Sequence, residues 1–264
     1  MPQFADARIS PVFRYRDAPR AIEWLTGAYG FVTQELHSEP TGDVAHAELR
    51  FGPSAIGISS AGPVVAGNPW TAVRLGVYVC LKEVDAFFAR AVSARAEVAR
   101  PLADTSYGAR DGSLRDPGGH LWSVGTYPMG APDADPTLFV ALHYTDGRAA
   151  ASFLQQAFGL EPGLVVDTSG AIDHGEFTLG RDVTMMSASP RERGYWGDDS
   201  QCTCAYVADV DAHHARAVAA GARILQPPQD TPYGARGYYT SDCEGFVWGF
   251  STYRPTPAGL QHPA

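Results

Sequence analysis

Two short patterns in this chain set an imidazole and a carboxylate two residues apart: His46-Ala47-Glu48 and His174-Gly175-Glu176. In an extended strand, residues i and i+2 share a face, so each pair can meet. Around the first pair, Ala45, Ala47, Leu49 and Phe51 fall on one face, and Val44, His46, Glu48 and Arg50 on the other. Around the second, Gly175, Phe177 and Leu179 oppose His174, Glu176 and Thr178. A His and a Glu so placed suit general acid–base work or the binding of a polar ligand. The alternative is a solvated or hydrogen-bonded structural pair. His46, Glu48, His174 and Glu176 are therefore the catalytic candidates.

Other residues invite chemistry less directly. Arg110 and Arg236 follow identical Tyr-Gly-Ala turns, which suits carboxylate binding or an arginine tied to the nearby hairpin aspartate. Their presence in both places favours the structural role. Trp122 and Trp248 alternate onto the apolar side of their strands and are expected in the core. His120 belongs to a hairpin signature, and His213 and His214 lie on a helix, surface-placed or half-buried. Two divergent loops carry aromatics that can stack on a ligand or close a core: Trp70 in residues 65–70, and Tyr195 and Trp196 in residues 189–199.

These residues sit on a duplicated frame. Asp104-Thr-Ser-Tyr-Gly-Ala-Arg110 returns 126 residues later as Asp230-Thr-Pro-Tyr-Gly-Ala-Arg236. The stretch from Asp116 to Tyr127 returns as Asp242 to Tyr253, and Val84–Val92 as Val210–Val218. Asp17 through Phe31 pairs with Asp146 through Leu160, and the His-x-Glu patterns correspond, with small changes of offset that mark loop lengths. Each copy opens with a short strand, Ile9 to Tyr15 or Leu138 to Tyr144, followed by a helix. Asp17 and Asp146 are placed as N-caps, and Gly30 and Gly159 as left-handed C-terminal residues. Strands are expected near 31–37, 44–51 and 54–60. The second half of the copy repeats the plan: a strand at 72–80, a helix at 83–95 and strands at 98–101, 108–115 and 120–126.

Composition bounds the rest. The 264 residues are 45% hydrophobic and 19% charged, ordinary for a globular chain. No apolar run is long enough for a membrane-spanning helix, and the opening MPQFADARIS lacks the apolar segment of a signal peptide. Four cysteines do not make a disulfide framework, so a reducing cytoplasm is expected. The net charge of −9 disfavours nucleic acid and anionic membranes and favours a cationic ligand.

With Arg14-Tyr-Arg-Asp17, Ala28-Tyr-Gly-Phe31, His46 to Gly52 and Asp116-Pro-Gly-Gly-His-Leu-Trp122, the paired βαβββ plan resembles the vicinal oxygen chelate superfamily. That group includes glyoxalase I, bleomycin-resistance proteins, extradiol dioxygenases and fosfomycin-resistance proteins. The pattern is closest to its PhnB-like and bleomycin-resistance-like branch. The resemblance implies an α+β fold: four βαβββ modules forming two tandem domains, with curved mixed sheets and helices on the convex side. The domains are expected at 1–127 and 137–254, with a linker at 128–136 and a tail at 255–264.

The resemblance also implies positions for a divalent metal held by histidines and a glutamate. Carried over, they fall on Ser10, Arg74 and Ser123 in the first copy and on Phe139, Cys202 and Gly249 in the second. Mixed sets between copies give no better group. No metal or other cofactor is therefore expected, and the purified protein is expected to hold no stoichiometric Zn, Fe, Mn or Ni. Ligand-lining candidates are Trp70, Tyr195, Trp196, Arg74, Phe139, His143 and Cys202. The expected function is metal-independent binding of a small molecule, an aromatic or cationic antibiotic-like compound held in sequestration. The alternative is a lyase, isomerase or dioxygenase that uses non-standard ligands or the His/Glu pairs. The chain is expected to act as a monomeric fused pseudo-dimer or as a homodimer.

Overall fold

Four βαβββ modules follow one another along the chain in the computed structural model, which describes residues 9–61, 76–129, 136–168, 171–180, 182–188 and 202–253. The first holds β1 (Ile9–Tyr15), α1 (Ala18–Trp24), β2 (Val32–Ser38), β3 (Val44–Phe51) and β4 (Ser54–Ser60). The second holds β5 (Gly76–Cys80), α2 (Val84–Ser93), β6 (Glu97–Asp104), β7 (Arg110–Arg115) and β8 (Leu121–Gly125). Next come β9 (Thr137–Tyr144), α3 (Gly147–Phe158), β10 (Glu161–Thr168), β11 (Ala171–Leu179) and β12 (Asp182–Ala188). The last module holds β13 (Cys202–Tyr206), α4 (Val210–Ala219), β14 (Arg223–Asp230), β15 (Arg236–Ser241) and β16 (Val247–Ser251).

The strands form two mixed eight-stranded sheets, in the orders β14-β15-β16-β13-β1-β4-β3-β2 and β10-β11-β12-β9-β5-β8-β7-β6. Within each module the last three strands are antiparallel, and the first lies parallel to the fourth, as in β5–β8 and β13–β16. The chain divides into two compact units, Pro11–Val140 and Met1–Ser10 with Ala141–Ala264.

The expected helix signals act as read. Asp17 accepts a hydrogen bond from the backbone N–H of Arg20, and Asp146 from that of Ala149. Gly30 and Gly159 end their helices at φ of 82° and 74°, a conformation that costs glycine nothing. One detail differs: α1 loosens into a π-helical turn over Leu25–Tyr29 before Gly30. Element ends shift by a few residues, most at β6, which is twice the expected length because its pairing with β7 continues through two irregularities. Val44, expected beside His46, is instead buried in the core, and Ala45 is exposed.

In the Pro11–Val140 unit, aromatic rings fill the space between helices and strands. Phe13 stacks on Trp122 at 5.0 Å, and Tyr29 lies 4.7 Å from both Trp24 and Phe87. Burial of each such ring contributes on the order of 2–3 kcal/mol. Arg90 of α2 donates to the carbonyl of Ala28, and the Trp24 indole donates to that of Ala94. The other unit repeats this plan, with Phe158, Trp248 and Phe250 in the core and Arg216 donating to the carbonyls of Gln155 and Gln156.

Candidate functional site

Ala47, Leu49 and Phe51 enter the core, so alternation turns His46, Glu48 and Arg50 to the face of β3 that carries no helix. His46 Nε2 lies 3.7 Å from Glu48 Oε1, and Glu48 is buried. The neighbouring strand adds two residues that strand-by-strand reading leaves out. Glu35 stands directly across from Glu48 and His37 directly across from His46, while the His37 ring contacts the Glu35 carboxylate. One hairpin thus gathers two imidazoles and two carboxylates. The ligand atoms of Glu35, His46 and Glu48 all lie within 4.8 Å of one another.

The second copy builds a different group on the equivalent face. His174 Nε2 approaches Glu176 Oε1 at 3.3 Å. Across from His174 stands Val166, where the first copy has His37. On the other side, β12 brings in Ser187, which hydrogen-bonds His143 Nδ1 at 2.8 Å across the β9–β12 pair. His143 and Glu176 are both buried. Gly147, at the start of α3, leaves room for Ala188, whose Cβ would lie 2.6 Å from a side chain there, which places Ala188 and by alternation Met186 on the helix side and Ser187 on the opposite one. Ser187 was not among the sequence candidates. Its first-copy equivalent, Ser59, is paired with Arg14 across β1–β4 in the register that joins Ser187 to His143.

A third polar group lies in the second module. Arg100 donates to Asp111 at 2.6 Å, the Tyr107 hydroxyl donates to the other carboxylate oxygen, and Ser113 and Ser123 share a hydrogen bond of 3.0 Å. Tyr78 lies beside them, 6.5 Å ring to ring from Phe139, with its oxygen accepting from the backbone N–H of Tyr127. Burial drives the Tyr78 phenol well above its usual range. Burial and the bond to Asp111 push Tyr107 up to about 12. Both stay protonated as donors at neutral pH. Asp111, Arg100 and Ser113 give way in the second copy to Gly237, Gln226 and Tyr239, whose ring lies over Gly249.

The positions implied for a chelated metal do not fit one. Ser123 is buried and bonded to Ser113, Phe139 packs by Tyr78, Cys202 is fully buried opposite Val247, and Gly249 has no side chain. None of these, nor Ser10, supplies an imidazole or carboxylate. Trp70, Arg74, Tyr195 and Trp196 lie outside the described residues.

Several residues belong to the frame. Arg110 grips Asp85 on α2 and Asp104 on β6, and Arg236 grips Asp211 and Asp230 in the same way. Asp116 is buried and takes four donors: the Tyr15 hydroxyl, the Trp122 indole, and the backbone N–H groups of Gly118 and His120. Asp242 does the same with Tyr144, Trp248, Glu244 and Phe246. His120 packs edge-on to Phe13 and Tyr15. His213 is half-buried, bonded to the Tyr238 hydroxyl and the carbonyl of Phe158. Burial lowers its pKa.

Comparisons with known proteins agree with this frame. The signature of the Glyoxalase/Bleomycin resistance protein/Dioxygenase superfamily matches residues 8–124 and 138–250. An uncharacterized protein of Mycobacterium bovis is 32% identical over 123 residues, 44% of this chain and 81% of that protein. Glyoxalase I from Zea mays superposes with a TM-score of 0.70 at 16% identity, covering 92% of each chain. A putative dioxygenase from Bacillus subtilis superposes at 0.62 with 14% identity, covering 93% of this chain and 84% of its own. At such identities the two structures attest the fold alone. Matched along both of its copies, the chain belongs to the Glyoxalase/Bleomycin resistance protein/Dioxygenase superfamily.

Proposed function

We propose that this chain binds a small organic molecule on the helix-free faces of its sheets, and that it does so without a metal at the family's chelating positions. The observation that carries this reading is the side-chain set at those positions: Ser10, Ser123, Phe139, Cys202 and Gly249 offer neither imidazole nor carboxylate. Polar groups in fixed orientation and aromatic rings take their place, the composition of a binding surface. The buried carboxylates of Glu48, Glu176 and Asp111, within a chain of net charge −9, support a cationic or hydrogen-bond-donating ligand. Tyr78 and Phe139 support an aromatic one. Sequestration of an antibiotic-like compound is the corresponding biological role, carried out by one chain acting as a fused pair.

A second reading rests on the second copy. The Glu176–His174 pair and the Ser187–His143 bond give a buried base, a buried acid and a hydroxyl on one face, a set that suits proton transfer in an isomerase or lyase. Equilibrium dialysis against a panel of cationic and neutral aromatic compounds separates the two. Mass spectrometry should recover a retained compound unchanged. A chemically altered compound from wild type, recovered unaltered from His174→Gln, would assign the enzyme reading instead.

A further inference from the structure

We propose that the β2–β3 hairpin of the first copy is a binding site for a divalent transition-metal ion such as Zn²⁺, held by Glu35, His46 and Glu48 with His37 beside them. This site is distinct from the family positions, of which the described ones lie on other strands and carry neither imidazole nor carboxylate.

The hairpin's register makes the site. A turn closed by the Glu39 N–H on the Asp43 carbonyl, with Gly42 at φ of 89°, returns the chain so that Glu35 faces Glu48 and His37 faces His46. Directly opposed like charges destabilise a strand pair, and here one of them, Glu48, has a side chain only 6% exposed. A cation between the carboxylates converts that repulsion into attraction. The donors are hard oxygen and borderline nitrogen, the set that Zn²⁺ and its first-row neighbours take. Ligands bound about 2.1 Å from one ion stand about 3.4 Å apart. The observed separations, up to 4.8 Å, close to that value through glutamate side-chain torsions. Side-chain exposures of 26% for Glu35, 42% for His46 and 61% for His37 leave one side of the ion open to water or to an incoming donor.

The second copy is an internal control. It keeps the His-x-Glu pair as His174 and Glu176, yet at irregular register β10 sets Val166 across from His174 and Val165 across from Gly175, neither an imidazole nor a carboxylate. Among the described residues, the grouped donors occur in the first copy, where β2 supplies Glu35 and His37.

The experiment uses the full chain, treated with chelator and then titrated calorimetrically with Zn²⁺, and separately with Co²⁺ as a visible-absorption probe. One ion per chain is expected, with Co²⁺ bands of a nitrogen- and oxygen-ligated site. His46→Gln and Glu35→Gln should each weaken binding at least tenfold, while His174→Gln and Glu176→Gln should leave it unchanged. Both first-copy residues are partly exposed, so their variants should keep the wild-type circular dichroism. Absence of stoichiometric binding overturns the proposal. So does binding that survives both first-copy substitutions, or thiolate charge-transfer bands that place the ion on cysteine.

Discussion

Tyr29 and Phe158 occupy equivalent places in the two copies, each against a buried tryptophan, Trp122 in one and Trp248 in the other. The Tyr29 hydroxyl is buried and finds no hydrogen-bond partner among the described residues. A buried hydroxyl without a partner costs about 1–3 kcal/mol. Tyr29→Phe should therefore leave stability unchanged or raise it by about 1 kcal/mol in urea denaturation. A loss of more than about 1 kcal/mol would mean that the hydroxyl is bonded in solution.

Arg95 holds φ of 72° after α2, where the second copy has Gly221 at 82° after α4. The left-handed region costs a side-chain-bearing residue about 1 kcal/mol or more. Both backbone N–H groups bond to the equivalent carbonyl, of Val92 or Val218. Arg95→Gly should raise the denaturation midpoint, and Gly221→Arg should lower it. The opposite order in urea melts would show that the Arg95 side chain contributes more than its backbone costs.

Burial lifts the Asp242 carboxyl to about 6, against about 3.9 in an unfolded chain. A raised folded pKa stabilises the folded state fully below the unfolded value, and that contribution is lost as pH rises through about 6. Asp242→Asn removes this dependence. Urea denaturation from pH 4 to 8.5 should show wild type losing stability relative to the variant as pH rises from 4 through 6, with the difference levelling off above about pH 7. A difference that is flat from pH 4 to 7, or that keeps growing above about pH 7.5, would refute the assignment.

The His213 imidazole works in the opposite direction. Burial depresses its pKa, so its neutral form contributes stability above the unfolded value near 6.5, and that contribution is lost as pH falls through the folded value. His213→Phe restores the residue found at Phe87 in the first copy. Its stability relative to wild type should improve as pH drops from 7 to 5. A ratio independent of pH would show that His213 does not titrate in this interval.

Much of the architecture is legible in the chain because the motifs that repeat are local and self-contained. Asp17 and Asp146 cap helices, Gly30 and Gly159 end them, and Asp116 and Asp242 gather donors within a few residues on one side and from one strand on the other. The faces of His46 and Glu48 follow from alternation alone. What alternation does not carry is register. The opposition of Glu35 to Glu48 depends on irregularities between Thr33 and Glu35 and between His37 and Ser38, which shift the three pairs between them by one residue. The bond between His143 and Ser187 joins strands 44 residues apart, and nothing in either segment announces the other. Asp111 with Arg100 and Tyr107 escapes a repeat-based search for the converse reason, since copy two has Gly237 at the place of Asp111.

Among the described residues strand β2 ends its sheet, with one row of its backbone groups facing no other described strand, and Val32 and Leu36 are about half exposed there. A bare apolar edge invites a strand from another molecule. Here the two irregularities break the flatness of the edge, and Glu35 and Glu39 put carboxylates on it. Glu35, proposed to hold an ion, is thus also one of the charges on this edge strand. Neutralising Glu35 removes a charge from beside the exposed Val32 and Leu36, so protection of the edge and ligation chemistry meet in one side chain.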